Sequence, residues 1–260
     1  MILFYAFGAM AEKTNALSDA EIQGHSLAQE ILSRRPAENS TNTGILHIRD
    51  GSGSRSEIPI ICRIVVSISN ANTYLIIPDW QTFYQANLTN QTEYLRVIHA
   101  TDLTNIYSYS TNRSDAVPVL GDIPLSRHLF PGHLVCGSAL MSRFAGSDFW
   151  LCDLGLEFFH WPAQKILPKT TNLKRGREYT LLESTNPNPY TNGYSRVVTW
   201  IDKETGGILQ AEAYDKNGEP LKEFSPKSFK KVNGQWQLQE MEIRNVQTGS
   251  RTRLEFDLKK

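Results

Sequence analysis

Residues 143–154 read RFAGSDFWLCDL and stand where a polar, irregular middle of the chain gives way to strand-rich sequence. Ser147 and Asp148 are residue types that cap helix N-termini, because their short side-chain oxygens accept hydrogen bonds from the free N–H groups of the first turn. Gly146, just before them, permits a sharp entry of the chain. The stretch therefore predicts a helix that begins near Phe149 and forms a hinge between two halves of the chain.

The predicted helix is more apolar than a helix that faces solvent. Pro162 ends it, because proline lacks the backbone N–H that would continue the helix. A short apolar helix beside a sheet suggests a lid over an apolar cavity. Its bulky side chains are those of Phe149, Leu151, Leu154, Leu156, Phe158, Phe159 and Trp161.

Another helix is predicted near the N-terminus. Ser18 and Glu21 have the spacing of a capping box, and Leu17 and Ile22 that of a hydrophobic staple. The helix is expected to run to about Ser33. An isolated helix of this length is marginal in water, so we expect it to dock on an apolar surface such as a sheet face.

Most of the remaining sequence alternates with period two, which is typical of half-buried antiparallel strands. Two Asn-Gly pairs, at 217–218 and 233–234, are strong hairpin signals. Residues 114–131 have no clear period and are expected to form a long loop. Strands are predicted at 44–49, 57–69, 73–77, 82–86, 93–99, 105–110, 177–183, 196–202, 208–214, 222–231, 236–245 and 252–258.

The charge balance argues against a highly charged partner. The 260 residues include 27 Lys or Arg and 27 Asp or Glu, so the net charge is +0. Such a chain has no overall field to attract nucleic acid or an anionic bilayer, and we expect no nucleic acid partner. The length suits one large β-rich domain, which we place at residues 12–260.

Residues 1–11 form an apolar run that ends in Ala-Met-Ala, a pattern of signal-peptide cleavage. The run lacks a preceding Lys or Arg, so a buried N-terminal strand is the alternative. It is too short to span a bilayer. Export would permit a disulfide between Cys136 and Cys152, whereas three buried, reduced thiols at Cys62, Cys136 and Cys152 are the other possibility.

Common catalytic and cofactor motifs, such as a P-loop, Gly-x-Ser-x-Gly or His-Glu-x-x-His, are absent from the sequence. His128, His133 and Cys136 offer nitrogen and sulfur ligands, but their spacing matches no common zinc site. A Cys136–His133 nucleophile pair is the remaining enzymatic possibility. We therefore expect no enzyme activity, no cofactor and no bound metal, with Asp148 as a helix cap and Asp153 solvated at the surface.

Two sequence segments carry a resemblance to a known family. Gly146-Ser147-Asp148-Phe149 with Asp153-Leu154 resembles the signature of bacterial outer-membrane lipoprotein-sorting proteins, the LolA-like superfamily. Residues 200–206, WIDKETG, followed by residues 211–218, AEAYDKNG, resemble the hairpin of that family. The resemblance covers residues 144–258 well and the N-terminal half in general layout only.

The resemblance implies an α+β fold, in which a strongly curved antiparallel sheet forms a half-barrel and helices cover its concave face. It also implies motif or structural roles for Gly146, Ser147, Asp148, Asp153, Asp202 and Gly206. The cavity and its lid would be lined by Phe144, Phe149, Trp150, Leu154, Phe158, Trp161 and Trp200.

The function implied is that of a monomeric, non-catalytic periplasmic carrier or binding protein for lipoprotein acyl chains or another lipid. An interaction module of the cell envelope, with a filled interior and a protein partner, is the alternative. Open volume between the helices and the sheet would favour the carrier, and solid packing would favour the module.

Overall fold

One antiparallel sheet forms the framework of the computed structural model, which describes residues 17–66, 80–99, 104–112, 132–169, 173–232 and 234–258. Within these residues the strands number thirteen: β1 (Ser40–Arg49), β2 (Arg55–Val66), β3 (Trp80–Asn87), β4 (Thr92–His99), β5 (Ile106–Asn112), β6 (His133–Val135), β7 (Ala163–Leu167), β8 (Tyr179–Thr185), β9 (Arg196–Asp202), β10 (Ile208–Tyr214), β11 (Pro220–Val232), β12 (Gln235–Asn245) and β13 (Arg251–Asp257).

The two edge strands of the sheet, β6 and β7, come from the middle of the chain. The order is β6-β5-β4-β3-β2-β1-β13-β12-β11-β10-β9-β8-β7, so each strand in either half pairs with its neighbour in sequence. The halves join where β1 pairs with β13, with Leu46 opposite Leu254. Because β6 and β7 lie at opposite edges, the chain between them must cross from one edge to the other.

The strand pattern of the C-terminal half is confirmed closely. β9 and β10 have the predicted bounds, and β11, β12 and β13 differ from prediction by one or two residues at their ends. In the N-terminal half the predicted strands at 44–49, 57–69, 82–86, 93–99 and 105–110 correspond to β1 to β5. The predicted strand at 73–77, the loop at 114–131 and the run at 1–11 lie outside the described residues.

The first helix, α1 (Asp19–Leu32), begins at the predicted capping box. Ser18 Oγ accepts from the Glu21 N–H at 3.4 Å, and Glu21 Oε2 accepts from the Ser18 N–H at 2.7 Å. Leu17 and Ile22, the residues of the predicted staple, are each 53% exposed. α1 packs on the edge strand β7, where a Cβ on Gly24 would lie 2.5 Å from the backbone nitrogen of Lys165.

The predicted fold class, with helices covering the concave face of the sheet, is wrong. The described chain is dominated by the sheet and has few helical residues, and α1 docks on an edge strand. The helix expected from Phe149 to Trp161 is a single turn, α2 (Leu151–Leu154), between short 3₁₀ turns at Gly137–Met141, Phe144–Gly146 and Glu157–His160.

Local hydrogen bonds explain why the α2 helix stops after one turn. Tyr84 Oη donates to the carbonyl of Leu154, and Asn105 Nδ2 donates to the carbonyl of Gly155 at 2.7 Å. Leu156 then adopts φ +52°, which a continuing helix does not permit. Side chains of β3 and of the residue before β5 therefore occupy carbonyls that a longer helix would use internally.

Candidate functional site

The segment between β6 and β7, residues 136–162, is here called the crossover segment. Its buried side chains divide between two core clusters. Phe144, Phe149, Leu151 and Leu154 pack with side chains of β1 to β5, β12 and β13. Cys152, Phe158 and Phe159 pack with α1 and with strands β8 to β11. The crossover segment therefore holds together the two halves of the sheet.

The Gly-Ser-Asp motif makes a tight turn and caps no helix. Ala145 and Gly146 have φ of +53° and +67°. Ser147 Oγ donates to the Phe144 carbonyl at 2.6 Å and accepts from the Phe149 N–H at 3.2 Å. The residue at the N-cap of α2 is Trp150, whose N–H donates to Asp153 Oδ2 at 2.8 Å. The predicted capping roles of Ser147 and Asp148 are therefore wrong.

Asp148 instead ties the crossover segment to β13. Its buried carboxylate accepts from Ser250 Oγ at 2.6 Å and from Thr252 Oγ1 at 3.0 Å. The Asp148 N–H donates back to Thr252 Oγ1 at 2.9 Å. Three hydrogen bonds between one turn and one strand edge fix the start of the crossover segment on the sheet.

Asp153 takes part in a buried ion pair, so its predicted exposure at the surface is wrong. Lys222 Nζ, on β11, lies 3.1 Å from Asp153 Oδ2 and donates to the Asp148 carbonyl at 2.7 Å. Tyr194 Oη donates to Asp153 Oδ1 at 2.8 Å. Burial lowers the pKa of Lys222, and the charge of Asp153 opposes that shift. The ammonium also lies 3.5 Å from the ring centroid of Trp150, a cation–π contact.

Two glutamates hold the other side of the crossover segment. Glu93 accepts from the Ala145 N–H at 2.7 Å and from Tyr109 Oη at 2.8 Å. Glu157 accepts from Tyr107 Oη at 3.0 Å. Burial raises the pKa of Glu157 to about 7, so this carboxyl titrates near neutral pH.

A pocket of about 330 Å³ lies between the crossover segment and the sheet, and its lining is mostly apolar. Cross-strand neighbours form its floor: Ala211 of β10 is opposite Phe224 of β11, which is opposite Ile243 of β12. The full lining comprises Tyr84, Phe149, Asp153, Leu154, Leu156, Phe158, Gly207, Ile208, Ala211, Phe224, Pro226, Phe229, Leu238, Met241 and Ile243.

A second, smaller pocket of about 160 Å³ lies nearby on the crossover segment. Glu157 and Tyr194 contribute polar groups to it, and Phe158 borders both pockets. The remaining lining consists of Gly137, Leu140, Met141, Cys152, Trp161, Asn186 and Tyr190.

The predicted cavity residues fall in several places. Phe149, Leu154 and Phe158 line the larger pocket, and Trp161 lines the smaller one. Phe144 is buried against Tyr84 with ring centroids 6.2 Å apart.

The remaining two tryptophans of that set, Trp150 and Trp200, line neither pocket. Trp150 stacks on Tyr194 with ring centroids 4.6 Å apart. Trp200 packs with a separate cluster around Tyr179, and Lys174 Nζ lies 4.3 Å from its ring centroid. Trp200 is therefore not brought together with the residues of the crossover segment.

The sequence analysis did not identify the individual residues that line the larger pocket on the side of the sheet. Ala211, Phe224, Met241 and Ile243 sit in strands that were predicted, and the alternation of those strands could have placed them on one face. Lys222 was also missed, because a lysine in an alternating strand normally indicates a solvated face. Only its contact with Asp153, 69 positions away in the sequence, distinguishes Lys222 from a solvent-exposed lysine.

The hairpin motif at 200–206 has a defined structural basis. The Asp202 carboxylate accepts two hydrogen bonds from Arg177, at 3.0 and 2.7 Å, and others from the turn that follows. Arg177 lowers the pKa of Asp202 to about 2. Gly206 has φ +64°, and Arg34 at the end of α1 donates to the Thr205 carbonyl at 2.9 Å. The motif therefore anchors α1 to the β9–β10 turn.

The described residues among those considered for enzyme or metal chemistry are not grouped into a centre. His133 and Cys136 are both exposed to solvent, so the two side chains do not form a buried nucleophile–base pair. Cys62, Cys136 and Cys152 are all free, so no Cys136–Cys152 disulfide is formed, and only Cys62 and Cys152 are buried. His128 lies outside the described residues. Among the residues that the structure does describe, no three His, Cys, Asp or Glu side chains are grouped to hold a metal ion.

Comparison with solved structures identifies the fold. A DUF1329 family protein from Desulfovibrio piger ATCC 29098 superposes with a TM-score of 0.66 at 16% identity over 92% of each chain. A domain from Vibrio parahaemolyticus, described as an outer membrane lipoprotein-sorting protein, gives 0.66 at 19% identity over 92% of each chain. A LolA superfamily protein from Nitrosomonas europaea gives 0.55 at 12% identity over 93% of each chain.

The predicted resemblance to the LolA-like superfamily is thus confirmed as a likeness of fold. A family model described as an uncharacterized protein matches residues 134–259. No curated protein matches the chain. Within the described ranges, none of the helices has the length and apolar character needed to cross a bilayer.

Proposed function

We propose that this protein is a carrier or binding protein for a lipid acyl chain, and that the larger pocket holds the chain. The main observation in support is the pocket of about 330 Å³, whose floor is formed by the apolar residues Ala211, Phe224 and Ile243. Acyl chains bind such a surface by burial, at about 0.8 kcal/mol for each methylene removed from water. Transfer of a bound chain requires no catalyst.

The size of the pocket supports a single chain as cargo. A cavity of about 150 Å³ is known to hold one benzene molecule, so about twice that volume accepts on the order of ten carbon atoms of one alkyl chain. The pocket is also at the lower end of the roughly 300–1,000 Å³ range of small-molecule sites. One acyl chain of a lipoprotein or of another lipid fits this range better than a complete multi-chain lipid.

The names of two structural relatives agree with this cargo. One is described as an outer membrane lipoprotein-sorting protein, and another as a LolA superfamily protein. By analogy, we place the protein in the periplasm, as a monomeric, non-catalytic domain of residues 12–260 that follows a signal peptide at 1–11. An interaction module with a filled interior is the competing function, and the open pocket counts against it.

Native lipid extraction followed by mass spectrometry tests the proposal. The protein is purified from a bacterial envelope fraction without detergent, and bound lipid is extracted and identified. We expect an acyl lipid in about equimolar amount. Ala211→Phe and Leu238→Trp place bulk into the pocket and are expected to lower the amount of bound lipid.

A matched control lies on the same strand as Ala211. Leu209 packs with the separate cluster around Tyr179, so Leu209→Trp leaves the pocket lining unchanged. Thermal unfolding of all variants shows whether each one folds. Absence of lipid from the folded wild-type protein, or equal lipid in the folded Ala211→Phe and Leu238→Trp variants, would overturn the proposal.

A further inference from the structure

The hairpin of β11 and β12 extends beyond its neighbours in the sheet. β10 pairs with β11 only as far as Phe224, and β13 pairs with β12 only from Glu240. Among the described strands, residues 225–232 of β11 therefore pair only with β12, and residues 235–239 of β12 pair only with β11. A two-stranded ribbon of this kind has little packing of its own, so its exposed side chains require a separate explanation. We call residues 226–232 and 234–238 the hairpin tip.

The apolar wall of the larger pocket continues onto the hairpin tip. Three cross-strand pairs lead outward from the pocket: Pro226 with Met241, Phe229 with Leu238, and Lys231 with Trp236. The pairs Ser228–Glu240 and Lys230–Gln237 lie between them. Pro226, Met241, Phe229 and Leu238 all line the pocket. Exposure is high at the outer end, with Phe229 at 54% and Trp236 at 71%. Exposed aromatic side chains therefore extend from the apolar lining of the pocket to the outer end of the hairpin.

The hairpin tip is also basic. Residues 224–239 contain Lys227, Lys230 and Lys231 and no Asp or Glu. Lys227 is paired with Glu242 at 3.0 Å, and Lys230 Nζ donates to the carbonyl of Leu258 and keeps its charge. Arg175, from the turn before β8, donates to the carbonyl of Pro226 and adds a fourth cation beside the tip. Glu242 offsets the charge of Lys227, so the positive charge of the tip comes from Lys230, Lys231 and Arg175. Acidic groups further away are screened over a Debye length of about 8–10 Å.

Lysines next to exposed Phe and Trp side chains match the chemistry of a bilayer surface. Tryptophan is enriched at membrane–water interfaces, where its ring lies at the level of the headgroups. Each Lys or Arg near an anionic bilayer contributes about 1 kcal/mol of attraction. We propose that the hairpin tip docks on a bilayer with anionic headgroups and places the mouth of the pocket against the lipid. This inference rests on the proposed function for the role of the pocket, but docking itself is measured separately.

Vesicle flotation of the full chain tests docking. The probes are vesicles of phosphatidylethanolamine with phosphatidylglycerol, and vesicles of phosphatidylcholine alone. We expect flotation with the anionic vesicles, loss of flotation at high salt, and weak flotation with phosphatidylcholine. Lys230→Gln with Lys231→Gln is expected to weaken binding roughly fivefold for each charge removed.

The aromatic contribution is tested with Phe229→Ser and Trp236→Ser in one chain. We expect loss of flotation with both kinds of vesicle. The matched control is Leu134→Ser, which removes an exposed leucine, 77% accessible, from β6 at the far edge of the sheet. Lys203→Gln with Lys216→Gln is the control for charge. Both controls are expected to float like the wild-type protein.

The pocket-filling variant Ala211→Phe separates docking from lipid binding. It is expected to float normally while it loses bound lipid, so failure of the carrier function and failure of docking give different results. Circular dichroism shows that each variant is folded. Equal flotation of the folded tip variants and the controls would overturn the proposal, as would binding to an envelope protein in the absence of any vesicle binding.

Discussion

Lys222 Nζ lies 3.1 Å from Asp153 Oδ2, and the two side chains are only 2% and 12% exposed. Each group is also hydrogen-bonded by others: Lys222 to the Asp148 carbonyl, and Asp153 to Tyr194 Oη and the Trp150 N–H. This ion pair joins β11 to the centre of the crossover segment. It therefore stabilises the position of the segment that forms one wall of the larger pocket.

Removing one partner of this pair is expected to be strongly destabilising. Lys222→Ala leaves the buried Asp153 carboxylate without its cation, at a cost of roughly 3–5 kcal/mol in the free energy of unfolding. Lys222→Met with Asp153→Asn removes both charges and keeps an acceptor for Tyr194, so it is expected to recover part of that loss. Urea denaturation of the three proteins checks this, and a double variant no more stable than Lys222→Ala would contradict it.

Glu157 is expected to make stability fall as the pH rises. Its pKa is about 7 in the folded protein and 4.5 in its ordinary state, because burial disfavours the charged form. The unfolded chain releases this proton more readily, so its contribution to stability is full below pH 4.5 and is lost as the pH rises to about 7.

The Glu157→Gln variant tests this. Above the folded pKa it is expected to be more stable than wild type by up to roughly 3 kcal/mol, and the two proteins are expected to converge below the unfolded pKa. Denaturation across this pH range measures the difference. A difference that does not change with pH would contradict the expected role of burial.

Asp202 is expected to act in the opposite direction. Arg177 lowers its pKa to about 2 from 3.8, so its stabilising contribution is present above 3.8 and is lost as the pH falls to about 2. Asp202→Asn is expected to lower the free energy of unfolding at neutral pH by on the order of 1 kcal/mol, allowing for solvent around Arg177. This loss of stability is expected to vanish near pH 2. Denaturation at neutral pH and at about pH 2 checks the prediction.

Gly24→Ala is expected to destabilise the protein, although Gly to Ala inside a helix normally stabilises by roughly 0.5–1 kcal/mol. A Cβ at Gly24 would lie 2.5 Å from the Lys165 backbone nitrogen, so α1 must move away from β7. Gln23→Ala, at an exposed neighbouring position, is the control and is expected to change stability little. Thermal unfolding gives both values, and a stabilised Gly24→Ala would contradict close packing of α1 on β7.

Local sequence patterns predicted the strands well and the crossover segment poorly. The strands β9 and β10 follow from alternation and turn residues, which act over a few positions. The fate of residues 149–161 depends instead on Tyr84 and Asn105, which are distant in sequence and take the carbonyls of Leu154 and Gly155. A helix cap and a strand tether use the same residue types, so Asp148 could not be assigned from its neighbours alone.

The candidate site shows the same limit. Phe149, Leu154 and Phe158 were predicted from their local apolar density and do line the larger pocket. Ala211, Phe224 and Ile243 come together only through the register of three strands. Lys222 is identified as a buried cation only by its partner in another part of the chain.

The pairing of β1 with β13 has a consequence for biosynthesis. β1 is the first of the described strands to leave the ribosome and β13 the last, yet they are direct neighbours at the centre of the sheet. The edge of β1 that faces β13 stays open while the other strands are translated, and an open strand edge pairs readily with other chains. A nascent chain stalled before residue 251 is therefore expected to aggregate or to recruit a chaperone, while the completed chain closes that edge itself.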